Sequence, residues 1–207
     1  MTSTAFLETL KKLKAIADVG LLYSKNEYDI ERYHEIRELT FQLLHNSTGH
    51  VMAVLKSSFP AATDYPTAKV DVRGLVMSPD KKILLIKERA DEKWSLPGGW
   101  ADVGYSPKEV IIKECKEETG LDVVPKQLLA VFDKRMHPHP PQPFYVYKLV
   151  FFCEAVSTTI AKGFDVLDVQ YFDVARLPPL SEDRILESQI KLLHQKISTG
   201  DTETYFD

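Results

Sequence analysis

The first third of the chain carries apolar residues at the spacing of helices. Over residues 4–19 they recur every three or four positions, which predicts a helix that Gly20 is expected to end. A second helix is predicted over residues 29–44, because an apolar stripe there alternates with a charged, solvent-facing side. A third, shorter helix is predicted after Ser47. This part of the chain is therefore expected to be all-helical.

Beyond this region the pattern changes to the alternation of strands. Residues 57–67 combine Ser, Pro, Ala and Asp, which is typical of a linker, so we predict a helical domain over residues 1–66 and a second domain over residues 67–207. In the second domain a strand is predicted to begin at Lys69 and, after a short turn, to return over residues 83–86. The further elements predicted there are strands over residues 128–134, 144–156 and 169–172 and a helix after Pro179.

One helix of the second domain has strong signals at both ends. Ser106 is a good N-cap, Pro107 suits the first helical position, and Glu109 completes a capping box. Gly120 supplies the expected end. Because these signals are local, they fix the face of the helix that each residue between them occupies.

Three glutamates share one face of this helix. Glu114, Glu117 and Glu118 stand at positions i, i+3 and i+4, so their side chains are neighbours. Like charges at this spacing repel each other, and the face is therefore either a solvated surface or a site for a hard divalent cation, which prefers oxygen ligands. The glutamates alone favour the solvated surface, since runs of charge are usually solvated.

Composition and charge narrow the function classes. The 207 residues contain 26 Lys and Arg against 30 Asp and Glu, a net charge of −4, which gives no basic excess for binding nucleic acid. Cys115 and Cys153 lie in apolar stretches, which disfavours a disulfide framework or a zinc site and suits a reducing compartment. The sequence has no apolar run of membrane-spanning length and no signal-peptide pattern, so we expect a soluble cytoplasmic protein without a membrane partner.

The segment before the glutamates adds a glycine-rich loop, and the whole stretch resembles the Nudix box. In the loop Pro97-Gly98-Gly99-Trp100, backbone carbonyls can approach a ligand closely. The box is G-x5-E-x7-R-E-U-x-E-E-x-G-U, where U is a bulky apolar residue, and the matching positions are Gly99, Glu114, Cys115, Glu117, Glu118, Gly120 and Leu121. Two positions depart, because Tyr105 stands at the first glutamate and Lys113 at the arginine. The resemblance implies an α/β fold, a Nudix α/β/α sandwich with a mixed sheet, preceded by a small all-α domain.

The resemblance also implies a metal-dependent hydrolase. Mg²⁺, or Mn²⁺ in its place, would be bound by Glu114 and Glu118, with Glu117 and the carbonyl oxygen of Gly98 or Gly99 completing the shell. The two departures leave these ligands untouched and instead affect groups that support them.

The general base that would activate water is expected on a late loop. Asp168 is the first candidate, with Asp165 and Glu154 behind it, and Glu117 is kept as a second catalytic carboxylate. Asp168 suits a simple turn residue equally well.

Polar residues outside the box are candidates for binding the substrate. Lys69, Asp71 and Arg73 lie on one face of the first predicted strand, and Arg73 is the expected phosphate contact because its planar fork suits phosphate oxygens. Glu88, at the end of the second strand, is expected to line the same cleft. An exposed strand face would show the same alternation, which keeps a solvated surface open as the alternative.

A proline-rich loop supplies further candidates. Lys134 precedes it and His137 and His139 lie in it, and we expect His137 to belong to a lid over the substrate. A rigid turn without function accounts for the histidines more simply than metal binding does. The aromatic run over residues 144–152 suits base stacking, although a buried central strand accounts for it more simply.

The resemblance extends over nearly the whole chain. Residues 28–33, 69–73 and 99–104 are similar to the Nudix subgroup that hydrolyses nucleoside diphosphates linked to X. This implies a small-molecule nucleotide substrate, such as ADP-ribose or CDP-choline, that is cleaved into a nucleoside monophosphate and phospho-X. The helical domain is expected to form a homodimer and to help close the cleft, because its apolar stripes exceed what a short bundle can bury. Two alternatives stay open, a ligand-sensing regulator on the same fold and an RNA-end pyrophosphohydrolase.

Overall fold

The structure is a computed structural model that describes residues 3–59, 65–142 and 144–207. The chain divides into two compact units, which are Met1–Ala68 with Pro141–Phe144 and Lys69–Pro140 with Tyr145–Asp207. The central part of the predicted linker, residues 60–64, lies outside the described residues.

Three helices make up the first unit, namely α1 Ser3–Tyr23, α2 Glu27–Thr48 and α3 Met52–Ser58. The predicted helical region is thus confirmed. Asn26 begins α2, since its side-chain oxygen accepts a hydrogen bond from the amide of Tyr28. In the described residues, no helix has the length and apolar character needed to cross a membrane. The buried core of this unit consists of Leu7, Leu10, Phe41, Leu44 and Leu55.

Gly20 lies inside α1, so the prediction that it ends the helix was wrong. A Cβ atom at Gly20 would lie 2.5 Å from the ring of Tyr33 on α2. The glycine therefore lets the two helices approach closely, and helix α1 gains enough from this packing to continue through a residue of low helical propensity.

The second unit contains two sheets and two long helices. Its strands are β1 Lys69–Val76, β2 Ile83–Glu88, β3 Trp94–Ser95, β4 Gly98–Trp100, β5 Val123–Asp133, β6 Val146–Ala155, β7 Val166–Phe172 and β8 Tyr205–Phe206, and its helices are α4 Pro107–Thr119 and α5 Glu187–Thr199. The five-stranded sheet has the order β4-β1-β6-β5-β8 and is mixed, because β1 runs parallel to β6 and antiparallel to β4. The three-stranded sheet, β3-β2-β7, is antiparallel.

Strand β1 separates the two cores of this unit. Val72 belongs to the core that includes Ile111 of α4, whereas Leu75 belongs to the core that includes Leu193 of α5. Alternate residues of a strand point to opposite faces, so β1 is covered by a helix-containing core on each side. The predicted α/β fold with a mixed sheet and preceding helices is confirmed.

Strand β2 returns from the turn after β1 but joins the other sheet. Met77 and Ile83 form one antiparallel bridge, and the rest of β2 pairs with β3 and β7. The alternation along the chain predicted the strand correctly, but it carries no information on which partner a strand chooses.

Strand β5 is longer than predicted, and its additional residues include Pro125. It begins at Val123 instead of residue 128, and its register against β6 shifts between Pro125 and Gln127. Proline cannot donate a hydrogen bond to a neighbouring strand, and a bulge of this kind accommodates it.

Candidate active site

The predicted signals at the ends of α4 are present in the structure. The amide of Ser106 donates to Glu109 Oε2 over 2.8 Å, and the amide of Glu109 donates to Ser106 Oγ over 3.3 Å. Gly120 ends the helix in the left-handed conformation with φ 74°. With both ends fixed, Ile111 and Cys115 enter the core, and Glu118, which is also buried, and Glu114 lie beside them on the helix.

Glu118 is held against the glycine loop by a hydrogen bond. Its Oε2 atom accepts from the amide of Gly98 over 2.7 Å, and the residue is only 5% exposed. Gly98 has φ 138°, and a Cβ atom there would lie 2.1 Å from the carbonyl oxygen of Val72. Only glycine lets the loop pass this close to β1 and still present its amide to the carboxylate.

Glu114 lies against the next residue of the same loop. A Cβ atom at Gly99 would be 2.7 Å from Glu114 Oε1, so any side chain at this position would displace the carboxylate. The structure therefore brings Glu114 and Glu118 together at the backbone of Gly98 and Gly99. We call these two carboxylates and the two glycines the carboxylate–glycine site.

The carboxylates of this site are crowded in a poorly solvated place. Burial raises the pKa of Glu118 to about 8, opposed by Arg73 and by the hydrogen bond from Gly98. Burial also raises the pKa of Glu114, and the negative charge of Asp165 adds to the effect. For both carboxylates the effect of burial outweighs that of the nearby cations, so a divalent cation would add the positive charge that stabilises their ionised forms.

Glu117 stands apart from this pair. Its side chain is exposed and lies 3.9 Å from Lys113 Nζ. Across residues 3–59, 65–142 and 144–207, no three His, Cys, Asp or Glu side chains come close enough to hold a metal ion together. Mg²⁺ is commonly bound by one or two carboxylates together with water and substrate phosphates, so the donors of the carboxylate–glycine site fit this ion.

The two departures from the family pattern meet in the structure. Lys113 Nζ lies 3.0 Å from Asp102 Oδ2 and 5.7 Å from the ring centroid of Tyr105. The hydrogen bond that Lys113 donates to Asp102 raises the pKa of Lys113. Asp102 thus supplies the carboxylate partner that Tyr105 cannot provide, and the pair ties the loop after β4 to α4. Sequence reasoning missed Asp102, since nothing in its spacing marks it as a partner of Lys113.

Arg73 is buried, and its guanidinium group contacts other groups of the protein. The residue is 6% exposed, and its Nε donates to Asp71 Oδ1 over 2.9 Å and its Nη1 to the carbonyl of Leu96 over 3.0 Å. Glu88 Oε1 lies 3.6 Å from the same Nη1. Its guanidinium therefore faces protein groups behind Glu118, and its predicted role as a phosphate contact stays a prediction. The strand alternation gave the face correctly but could not show that the other sheet covers it.

The other predicted substrate residues lie at separate places on the second unit. Lys69 is exposed on β1, on the same face as Asp71, with its Nζ 5.3 Å from the ring centroid of Trp100. Lys134 Nζ donates to the carbonyl of Asp183 over 2.6 Å. His137 Nε2 lies 2.9 Å from Asp207 Oδ2. These are the contacts observed, and a lid role for His137 stays a prediction.

The late-loop carboxylates occupy distinct environments. Asp168 lies within β7, where its Oδ2 accepts from Gln170 Nε2 over 2.7 Å and its Oδ1 from the amide of Val169 over 2.8 Å. Glu154 pairs with Lys126 at 2.9 Å on an exposed part of β6.

Asp165 lies in the loop that packs on the end of α4. The amide of Gly163 donates to the carbonyl of Glu118 over 3.1 Å, and the amide of Ala161 donates to the carbonyl of Thr119 over 2.8 Å. Asp165 is exposed, and its charge raises the pKa of Glu114. The carboxylate that this loop brings toward the site is therefore Asp165.

Comparisons with known proteins cover both units. The NUDIX domain family matches residues 67–194, and the family described as UDP-X-like, N-terminal oligomerisation domain matches residues 4–59. YjhB of Bacillus subtilis, a candidate ADP-ribose pyrophosphatase, is 40% identical over 204 residues, 99% of this chain and 98% of its own. The ADP-ribose pyrophosphatase of Methanocaldococcus jannaschii is 32% identical over 122 residues, 58% of this chain and 69% of its own.

Two crystal structures are also similar. A UDP-X diphosphatase superposes over all of both chains with a TM-score of 0.63 and 34% identity. An ADP-ribose pyrophosphatase from Streptococcus suis superposes over 68% of this chain and all of its own, with a TM-score of 0.62 and 35% identity.

Proposed function

We propose that this chain, which belongs to the Nudix hydrolase family, hydrolyses the pyrophosphate bond of a nucleoside diphosphate linked to X in the presence of Mg²⁺. The products would be a nucleoside monophosphate and phospho-X. The observation that carries this proposal is the carboxylate–glycine site, where two poorly solvated carboxylates meet a backbone that only glycine can form. Such a site suits a cation that bridges protein and phosphate oxygens.

The residues of the site would divide the work as follows. Glu114, Glu118 and a carbonyl of the glycine loop would hold the ion, which when bound neutralises phosphate charge and activates the attacking water. The Gly98 amide fixes the Glu118 carboxylate, and Arg73 supports it from behind by charge. Asp165 would accept the proton of the water, because its exposed carboxylate lies on the loop that packs beside the glutamates.

The choice of substrate rests on the relatives. Those named for ADP-ribose and the one named for UDP-X all act, by their names, on nucleoside diphosphates linked to a further group. ADP-ribose is therefore the first substrate that we propose. CDP-choline belongs to the same chemical class and is the second.

We predict cleavage within the pyrophosphate bridge. With Mg²⁺, ADP-ribose should give AMP and ribose 5-phosphate, because the site is built for a bridging diphosphate and not for a terminal ester. Ion-exchange chromatography of the products from ADP-ribose, CDP-choline and UDP-glucose measures this, with Glu118→Gln as the control for contaminating hydrolases.

Orthophosphate as the first product would contradict the proposal. Faster cleavage of a 5′-triphosphorylated RNA oligomer would move the function to RNA ends. If no substrate is cleaved and duplex DNA is bound with a steep salt dependence, the regulator alternative takes its place.

We also propose that the chain forms a homodimer through its helical unit. This unit matches a family described as an oligomerisation domain, and several large apolar side chains on it are exposed. Ile16 is 51% exposed and Leu39 50%, although both belong to the apolar stripes of their helices. A second copy would remove this surface from water.

The dimer is tested with the full chain. Sedimentation equilibrium should give twice the chain mass of 23.6 kDa, and the double variant Ile16→Glu/Leu39→Glu should give the chain mass itself. Val156→Glu is the matched control, since Val156 is an apolar residue that is also at least half exposed but lies on the other unit. A monomeric unmodified chain at micromolar concentration would refute the proposal.

A further inference from the structure

A row of three side chains crosses the five-stranded sheet next to the carboxylate–glycine site. Asp71 of β1 pairs with Trp100 of β4 on one side and with Lys148 of β6 on the other. Residues directly opposite each other on neighbouring strands project from the same face of a sheet. The row therefore runs from a half-exposed indole at the sheet edge to a buried lysine in its centre.

Lys148 is a buried ammonium group whose charged neighbour is Asp71. The residue is completely buried, its Nζ lies 3.5 Å from Asp71 Oδ2, and it has no hydrogen-bond partner in the described part of the chain. Burial lowers the pKa of Lys148 to about 7, although Asp71 opposes this. A buried donor of this kind is costly unless a ligand or water accepts from it.

His139 is a second buried polar residue, and it lies within electrostatic reach of Lys148. Its Nδ1 lies 2.5 Å from the carbonyl oxygen of Glu182, and since a carbonyl only accepts, Nδ1 carries the proton. Its Nε2 is therefore an acceptor, and it is buried and has no hydrogen-bond partner among the described residues. Burial and, to a smaller extent, the charge of Lys148 lower the pKa of His139 to about 4.

The pattern of donors and acceptors distinguishes a base from a phosphate. A phosphate at Lys148 would also face the Asp71 carboxylate and the lone pair of His139, both of which repel it. The edge of a nucleobase offers an acceptor for Lys148 and an N–H for His139, and its ring can stack on an indole such as Trp100.

The position along the sheet fits the same ligand. Gly98 of β4 lies opposite Arg73 of β1, whereas Lys148 of β6 lies opposite Asp71, two residues earlier on β1. Gly98 and Lys148 are therefore two strands apart across the sheet and two residues apart along it. This corresponds to about 12 Å, which is roughly the length of a nucleotide measured from its phosphate to the edge of its base. We propose that Trp100, Asp71, Lys148 and His139 bind the nucleobase of the substrate, an inference that rests on the proposed function.

The proposal is tested by the binding of nucleotides that are not substrates. Calorimetry of the full chain with Mg²⁺ would compare AMP, CMP and UMP with ribose 5-phosphate, which lacks a base. Lys148→Met should raise the Kd of the tightest nucleotide at least tenfold and change that of ribose 5-phosphate less than twofold. Lys126→Met, on an exposed part of the same sheet, is the matched control and should change neither.

Two outcomes of the binding experiment would overturn the proposal. An unchanged nucleotide Kd in folded Lys148→Met would mean that only water occupies the place beside Lys148. An equal rise for ribose 5-phosphate would mean that the lysine contacts the sugar or the phosphate. If no substrate is ever cleaved but the nucleotide Kd still depends on Lys148, the proposed function fails and the base site stands.

A second measurement does not depend on how Lys148→Met folds. The fluorescence of Trp100 should be quenched by the tightest nucleotide and not by ribose 5-phosphate, because only the base can stack on the indole. In Trp100→Leu the remaining tryptophan, Trp94, is buried and should show no quenching. Quenching that persists in Trp100→Leu, or that is absent in the unmodified chain at saturating nucleotide, would overturn the proposal.

Discussion

Replacing Glu118 with glutamine is expected to lower turnover by roughly two orders of magnitude or more, about 3 kcal/mol of transition-state stabilisation. Glutamine has almost the same volume and can still accept the hydrogen bond from the Gly98 amide. The fold should therefore survive, while the charge that would hold the metal ion is lost. Steady-state kinetics with ADP-ribose over a range of Mg²⁺ concentrations measures the effect.

The same substitution is expected to stabilise the metal-free protein at alkaline pH. Burial raises the pKa of Glu118 from 4.5 to about 8, so the folded protein binds this proton more tightly than the unfolded chain does. The contribution of Glu118 to stability is then fully present below pH 4.5 and is lost as the pH rises through 8. Glutamine cannot ionise. In EDTA at pH 9 the melting temperature of Glu118→Gln should therefore exceed that of the unmodified protein by roughly 5 °C or more.

The loss of turnover, together with the higher melting temperature of the metal-free variant, distinguishes a metal ligand from a carboxylate with a structural role. A structural ion pair or hydrogen bond would make Glu118→Gln less stable at every pH, with or without Mg²⁺. Mg²⁺ should raise the melting temperature of the unmodified protein and should leave that of the variant unchanged. Glu154→Gln is the matched control, because that carboxylate is exposed on β6. Near-normal turnover of Glu118→Gln with unchanged Mg²⁺ dependence would disprove the assignment.

The sequence predicted the parts of the site that depend on local geometry. Ser106 and Gly120 mark the ends of α4, so the face that carries Glu114 and Glu118 follows from helical spacing alone. The two glycines of the loop were also expected to lie close to a ligand, and the structure places them directly against these carboxylates.

Features that depend on how the sheets come together could not be predicted in this way. Arg73 was correctly placed on the polar face of β1, but the loop and strands that bury it come from distant parts of the chain. Lys148 lies in an aromatic run that predicted a buried strand, and its position beside Asp71 depends on the parallel pairing of β1 with β6. The alternation of apolar and polar residues along a strand shows neither which strand it pairs with nor which distant segment covers it.

The general base is another feature that the sequence could not identify, because the two candidates lie close together in the chain. Asp165 and Asp168 are three positions apart, and spacing favours neither of them. In the structure, Asp168 is bound to Gln170 within β7, whereas the loop of Asp165 is joined to the end of α4 by backbone hydrogen bonds. We propose Asp165 on the strength of this tertiary contact between a loop and a helix, which cannot be derived from either segment alone.

Replacing Asp165 with asparagine is therefore expected to lower kcat roughly a hundredfold or more, since a positioned base commonly contributes that much. KM should change little, because Asp165 has no place in the proposed contacts with the nucleotide. Asp168→Asn is the matched control, an identical change three residues away, and should retain activity within about fivefold.

The comparison of these two variants decides the assignment whichever way it falls. A large loss of kcat in Asp168→Asn with near-normal kcat in Asp165→Asn would make Asp168 the base and would show that the hydrogen bond from Gln170 orients it. If Asp165→Asn instead raises KM for Mg²⁺ at unchanged kcat, the carboxylate acts by attracting the ion toward Glu114, on which its charge already acts. Because asparagine keeps the shape of aspartate, each result reports on the charge and proton of one side chain and not on the loop that carries it.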